Sequence, residues 1–239
     1  MDMKFLPLVE IQIDPEAPHF LGHRHRTKEK FDAVGQAGFA DYELLELLLF
    51  QVIPRTDTKP LAKQLLKEFG GLLGVFSAPE FSLLKIKGIG ASVVHLLKLV
   101  HTLMGRSLQD DIQGKNVLQS WNQVIDYCTT TMSFSQSEQL RVLYLDQKNQ
   151  ILGDEIQQTG TVNHTPIYPR EIMKKALEVG ATSLILVHNH PSGDPTPSKA
   201  DIDLTLKIQR IGNDLGITLH DHIIIGKGRH SSLKSMGII

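Results

Sequence analysis

The sequence predicts two parts of different class: an all-α domain over residues 28–110 and an α/β domain, a sheet covered by helices, over 115–239. Three observations carry this. Apolar residues up to Met104 recur at helical spacing. Residues 105–120, GRSLQDDIQGKNVLQS, are polar and glycine-bearing, which suits a boundary. Beyond them, runs rich in β-branched residues alternate with helical runs ending on glycine, the pattern of a sheet with helices packed on it. Residues 1–27 carry Pro7, Pro15 and Pro18 with no sustained period and read as an arm.

In chain order, DYELLELLLFQVI places Leu44, Leu45, Leu48 and Leu49 on one helical face, with Asp41 as its cap. TKPLAKQLLKEFGG is a second helix, stopped by a glycine pair. APEFSLLKIKGIG and then ASVVHLLKLVHTLM complete the helical part. In the C-terminal part, Val142, Tyr144 and the Ile151/Leu152 region flank a DQKNQ turn, so two strands are expected there. YPREIMKKALEVG is a helix, TSLILVHNH a buried strand, SKADIDLTLKIQRIGNDLG a helix and ITLHDHIIIG a further strand.

Composition excludes more than it assigns. A formal net charge of −1 and 41% hydrophobic residues describe an ordinary globular protein and name no partner. No apolar run approaches the roughly 18 residues that span a bilayer, and the acidic start is unlike a signal peptide, so no membrane partner and a cytoplasmic location are expected. A single cysteine, Cys128, excludes an internal disulfide and a cysteine-rich zinc site. A metal bound here has to be held by nitrogen and oxygen.

The stretch HNHPSGDPTPSKAD is where such a site is expected. On a strand, residues two apart share a face, so His188 and His190 project together. Asp201 follows at the first turn of the next helix, and the Pro191–Pro197 turn can fold it back towards them. Two imidazoles and a carboxylate with an open fourth position are the ligand set of a catalytic zinc. The competing reading is local: SKAD fits a capping box in which Ser198 caps the helix and Asp201 completes the motif. The two are compatible, because Ser198 can cap the helix and still face the metal.

The same stretch matches the pattern H-x-H-P-x6-S-x2-D of the JAMM (JAB1/MPN) metalloproteases. HRHRTKEKF, ELLELLLFQVIPRTDTKPLAKQLL, KIKGIG, YPREIMKKAL and DHIIIG resemble the bacterial RadC family over all but about the first 20 residues. That resemblance implies a cytidine-deaminase-like JAMM sheet with His188, His190 and Asp201 as zinc ligands. It further implies a glutamate on an earlier strand as general acid/base and Ser198 as oxyanion donor. Glu155 in ILGDEIQQTG fits the glutamate; Asp154 should face the other side of that strand, and Glu171 and Glu178 lie on the expected helix. The implied activity is hydrolysis of a peptide or isopeptide bond in an unknown protein or peptide substrate. Its rivals are a non-catalytic DNA-repair accessory with a structural metal, in line with the repair label such proteins carry, and a zinc-dependent nuclease.

Three further motifs are weaker. LLKIKGIGASVVHLL looks like a helix-hairpin-helix turn, and Lys59–Arg106 holds seven Lys/Arg against Glu68 and Glu80, so weak, sequence-independent DNA binding is expected of residues 59–106. The alternative is a glycine turn that serves helix packing alone. His220 and His222 repeat the i, i+2 spacing without a nearby acid, which suits structural or ligand-orienting roles. HRHR, residues 23–26, reads as a basic solvated segment.

Overall fold

The computed structural model describes residues 22–54, 56–160 and 167–239. Two compact units divide between Gly71 and Leu72. The first contains α1 (His23–Val34), a single 3-10 turn (Gln36–Gly38), α2 (Asp41–Leu49) and α3 (Lys59–Phe69). α2 starts one residue earlier than an Asp41 cap implies: Ala40 is the N-cap, and its N–H donates to the Glu43 carboxylate (2.9 Å). α3 stops where Gly70 turns left-handed (φ 76°), as the glycine pair leads one to expect. The first 21 residues of the expected arm lie outside the described residues. The HRHR stretch forms the start of α1, which corrects its reading as a solvated segment. His25 and Arg26 are exposed, but His23 meets the buried Glu46 at 3.0 Å, and the Arg24 guanidinium donates to the carbonyls of Phe50, Ile53 and Thr56.

The second unit opens with α4 (Leu72–Ser77), α5 (Glu80–Leu83) and α6 (Ala91–Ile112). α6 runs through most of the polar stretch at which a boundary is expected. The reason lies in its apolar minority: Leu108 and Ile112, four residues apart, pack on the sheet core, and the helix ends just before Gly114 (φ 69°). α7 (Trp121–Met132) is absent from the expectations above. Its signal was nonetheless present, since Val124, Cys128 and Met132 recur at a helical interval and all three are fully buried.

Among the described residues the strands are β1 (Glu138–Leu145), β2 (Ile151–Gly160), β3 (Ser183–Asn189), β4 (Thr218–Ile225) and β5 (His230–Ser232), in the order β2-β1-β3-β4-β5. Of these described strands, β3 and β4 pair in parallel and the other neighbours pair antiparallel. The β1–β2 turn is held by Asp146, whose carboxylate accepts the amides of Lys148 and Gln150 (both 2.8 Å), with Asn149 at φ 58°. β5, three residues long, was also not anticipated. α8 (Pro169–Val179) and α9 (Lys199–Asp214) pack on one face through Leu140, Val142, Tyr144, Leu184 and Leu186, while α7 packs on the other through Leu143, Leu145, Ile185 and Val187. Each fully buried Leu, Ile or Val contributes about 1.5–3 kcal/mol, so this double layer anchors β3, the strand that ends in the histidines.

Among the described residues no helix is long and apolar enough to cross a membrane.

Candidate metal centre

β3 delivers His188 at its C-terminal end, and the chain then turns sharply. The His190 amide donates to Ile225 O (2.9 Å), Pro191 has no amide to offer a further ladder bond, and Gly193 N–H closes on His190 O (2.9 Å). Gly193 sits at φ 90°, and a Cβ at Gly226 would come within 2.4 Å of Gly193 O. Glycine at 226 is therefore a condition for the turn to lie against the end of β4. Asp194 then accepts the amide and hydroxyl of Thr196 (3.1 and 2.8 Å), and the chain reaches Ser198, the N-cap of α9.

This turn folds Asp201 back onto the imidazoles. Its Oδ1 lies 3.1 Å from His188 Nδ1 and its Oδ2 lies 3.4 Å from His190 Nε2, with the His188 and Asp201 side chains each 6% exposed. The capping reading holds at the same time: Ser198 Oγ accepts from Asp201 N–H (3.2 Å), and Asp201 Oδ2 accepts from Ser198 N–H (2.7 Å) and from its hydroxyl (2.6 Å). The Ser198 hydroxyl is thus committed to Asp201 as both donor and acceptor. Burial pushes the Asp201 carboxyl up, but hydrogen bonds from His188, His190 and Ser198 outweigh it and hold the group well below the usual carboxylate range. The bond to Asp201 raises His190 in turn, against the opposing effect of its partial burial.

Glu155 stands elsewhere. It lies on the α8/α9 face of β2, opposite Val142, and its carboxylate pairs with Lys175 of α8 (2.8 Å) and accepts from Gln157 (3.2 Å). Asp154 faces the other way, as expected, into a buried cluster with Arg141 (2.8 Å) and Tyr127 (2.5 Å). The second carboxylate beside the imidazoles, after Asp201, is Glu138, at the start of β1, whose Oε1 is 2.7 Å from His188 Nε2. Among the described residues, Glu138, His188 and His190 form the one group whose ligand atoms all come within 4.8 Å of one another, compatible with a metal ion. Glu138 was missed because nothing local marks it: SQSEQL carries no turn signal and no partner acid. Only the antiparallel pairing that sets Leu140 opposite His188 brings it to the site.

Residues 118–238, just over half the chain, match the family model described as RadC-like JAB domain. The chain belongs to the RadC family. The matched RadC domain starts just ahead of α7 and takes in the whole sheet, so every residue of this cluster lies inside it. α6, with Ile112 under α7, precedes the match although it packs in the same unit.

The second histidine pair of this RadC domain splits between two tasks. His220 meets Asn149 Oδ1 (2.8 Å) at the β1–β2 turn. His222, fully buried, lies nearly parallel to the His188 ring (centroids 6.1 Å apart, 11° between planes), with Nδ1 2.6 Å from Thr205 Oγ1. Thr205 spends its proton on Asp201 O, so His222 Nδ1 must be the donor to it.

Proposed function

We propose that this RadC protein is a zinc-dependent hydrolase of the JAMM type that cleaves an amide or isopeptide bond in a protein or peptide, with Glu138 as its proton-transfer group. Its sheet is a JAMM sheet of the cytidine-deaminase-like kind, and it acts in a reducing cytoplasm, which suits the single buried Cys128. The observation that carries this reading is His188 lying between two carboxylates, Glu138 at Nε2 and Asp201 at Nδ1. A neutral imidazole has one N–H to give, so satisfying both contacts takes either a second ring proton or a bound cation between nitrogen and carboxylate. His190 is prepared in the same sense: Nδ1–H donates to Asp194 O (2.8 Å), so Nε2 donates to Asp201 when the ring is protonated and offers a lone pair for an ion when it is neutral. Two imidazole nitrogens with carboxylate oxygens are a donor set that suits zinc.

His188, His190 and Asp201 would hold the ion. The chemistry a bound zinc supplies is Lewis-acid polarisation of a carbonyl and a water acidified towards neutral pH. Glu138, whose side chain is 54% exposed at the mouth of the cluster, can take a proton from an attacking water and return it to the leaving amine. The Ser198 hydroxyl can face a developing oxyanion only by turning away from Asp201 Oδ2. About one zinc per chain is expected by elemental analysis of purified protein, lost in the His188→Ala/His190→Ala double variant. Stoichiometric zinc retained in that variant would place the site elsewhere. A nuclease reading gains little support, since among the described residues a single group of candidate ligand atoms is found.

The turn before α6 favours DNA contact as a second property. Ile86 and Ile89 are buried beneath it, while Lys85, Lys87, Gly88 (φ 96°) and Gly90 are exposed ahead of the α6 N-terminus. Lys98, another of the seven cations, instead donates to the carbonyls of Phe76 and Ala78 within the fold. Weak, salt-sensitive binding to duplex DNA is therefore expected to fall when Lys85 and Lys87 are made Gln. Unchanged binding and salt dependence in a fluorescence-anisotropy titration would refute it.

A further inference from the structure

We infer that Asn189 is a positioning residue that sets the Glu138 carboxylate against His188 by gripping the peptide units on both sides of Glu138. The inference rests on the metallohydrolase reading above and adds a residue to it.

Asn189 alternates with His188 and His190, so it projects to the opposite face of the sheet, the face that buries Ile185 and Val187. It is fully buried there. A primary amide in such a place costs free energy unless its polar atoms are matched, and this one is matched across the sheet on β1. Its Oδ1 accepts the Gln139 N–H (2.8 Å), and its Nδ2 donates to Ser137 O (3.1 Å). These groups fix the amide's orientation, since Gln139 N–H needs an acceptor and Ser137 O needs a donor. They are also the peptide groups immediately before and after Glu138. Ser137 O receives a second bond from the Ser135 hydroxyl (2.9 Å), which steadies the approach to the strand.

Glu138 needs this. Its side chain is more than half exposed, and it stands at the end of the β1–β3 ladder, whose register begins at Gln139 opposite Asn189. With little packing around it, its position follows from its backbone and from the contact to His188. The residue between the two histidines therefore does for the acid what the strand does for the imidazoles. One short segment, His188–Asn189–His190, sets the ligand nitrogens on one face and the proton-transfer group from the other.

The test is a double-mutant cycle read as Co2+ affinity, by competition with a chromophoric chelator, on the full chain. Asn189→Ala is expected to weaken Co2+ about tenfold, and so is Glu138→Gln by itself, the low end for losing the partner that orients a ligating imidazole, with zinc still stoichiometric in both. In a Glu138→Gln background the same change is expected to cost less than about twofold, because the carboxylate through which it acts is gone. Asn189→Ser, whose short hydroxyl cannot span both peptide groups and adds no buried charge, should fall between, and it carries the test if Asn189→Ala does not fold. Equal losses in both backgrounds, or no loss in the wild-type background, would overturn the role while leaving the metal site standing. A wild-type chain that takes up neither Co2+ nor Zn2+ overturns the metal reading and this inference with it.

Discussion

Glu138→Gln is expected to lower hydrolysis at least about a hundredfold, the low end for general acid–base catalysis, while the fold survives and zinc stays bound. The substitution keeps the size of the side chain and a group that can bond His188 Nε2, and removes the negative charge and the capacity to carry a proton. Glu155→Gln is the matched control. Its carboxylate serves Lys175 at a pair more than a third exposed on either side, so turnover should change by a factor of a few and stability little. Asp201→Asn should behave differently from both, weakening metal uptake because a neutral amide is a poorer ligand. The α9 cap should persist, since Ser198 Oγ still accepts the Asp201 amide. The measurement is turnover, zinc content and melting temperature for the three variants, on any amide or isopeptide substrate that a screen yields. A hundredfold loss in Glu155→Gln with little change in Glu138→Gln would restore the assignment drawn from resemblance and remove Glu138 from the mechanism. Loss of zinc in Glu138→Gln as complete as in Asp201→Asn would make Glu138 a ligand rather than a base.

The contrast between these two glutamates shows what the sequence made legible. His188, His190, Ser198 and Asp201 sit within one stretch, where strand alternation, a proline turn and a helix cap are local rules, and the structure gathers them as those rules imply. The helices over 59–69, 169–179 and 199–214 were marked by amphipathic period and closing glycines. Glu138 is 50 residues from His188 along the chain, and its approach depends on which strands pair and in which register, which no local signal encodes. Glu155 also lies on the face of the sheet that carries His188, so alternation alone could not reject it. It sits on the edge strand, opposite Val142, whereas His188 is opposite Leu140. The end of α6 was obscured for another reason: polar composition over 105–112 outweighed the Leu108–Ile112 pair, and burial of that pair kept the helix going.

The metal-free protein is expected to lose stability as pH falls below about 6.5, and His222 is the group to watch. Burial, helped by the neighbouring His188, depresses its pKa from 6.5 to about 3. In the folded chain it therefore stays neutral through mildly acidic pH, while in the unfolded chain it takes up a proton below its ordinary value. The unfolded state then binds more protons, so stability is whole above about 6.5 and declines as pH drops towards about 3. At about 1.4 kcal/mol per pKa unit, this single ring accounts for roughly 2–3 kcal/mol by pH 4.5. His190 is shifted the other way, so its contribution is present below its ordinary pKa and fades as pH rises. Replacing His222 by Phe separates the two effects. The ring facing His188 is retained, Thr205 can still donate to Asp201 O, and the buried titration is removed. Urea unfolding in the presence of a chelator, at pH 7.5 and pH 4.5, should show the wild type losing roughly 2–3 kcal/mol more than His222→Phe between the two conditions. Equal losses would mean that His222 is hydrated or charged in the folded protein, and that the imidazole behind His188 is not the neutral, buried support described above.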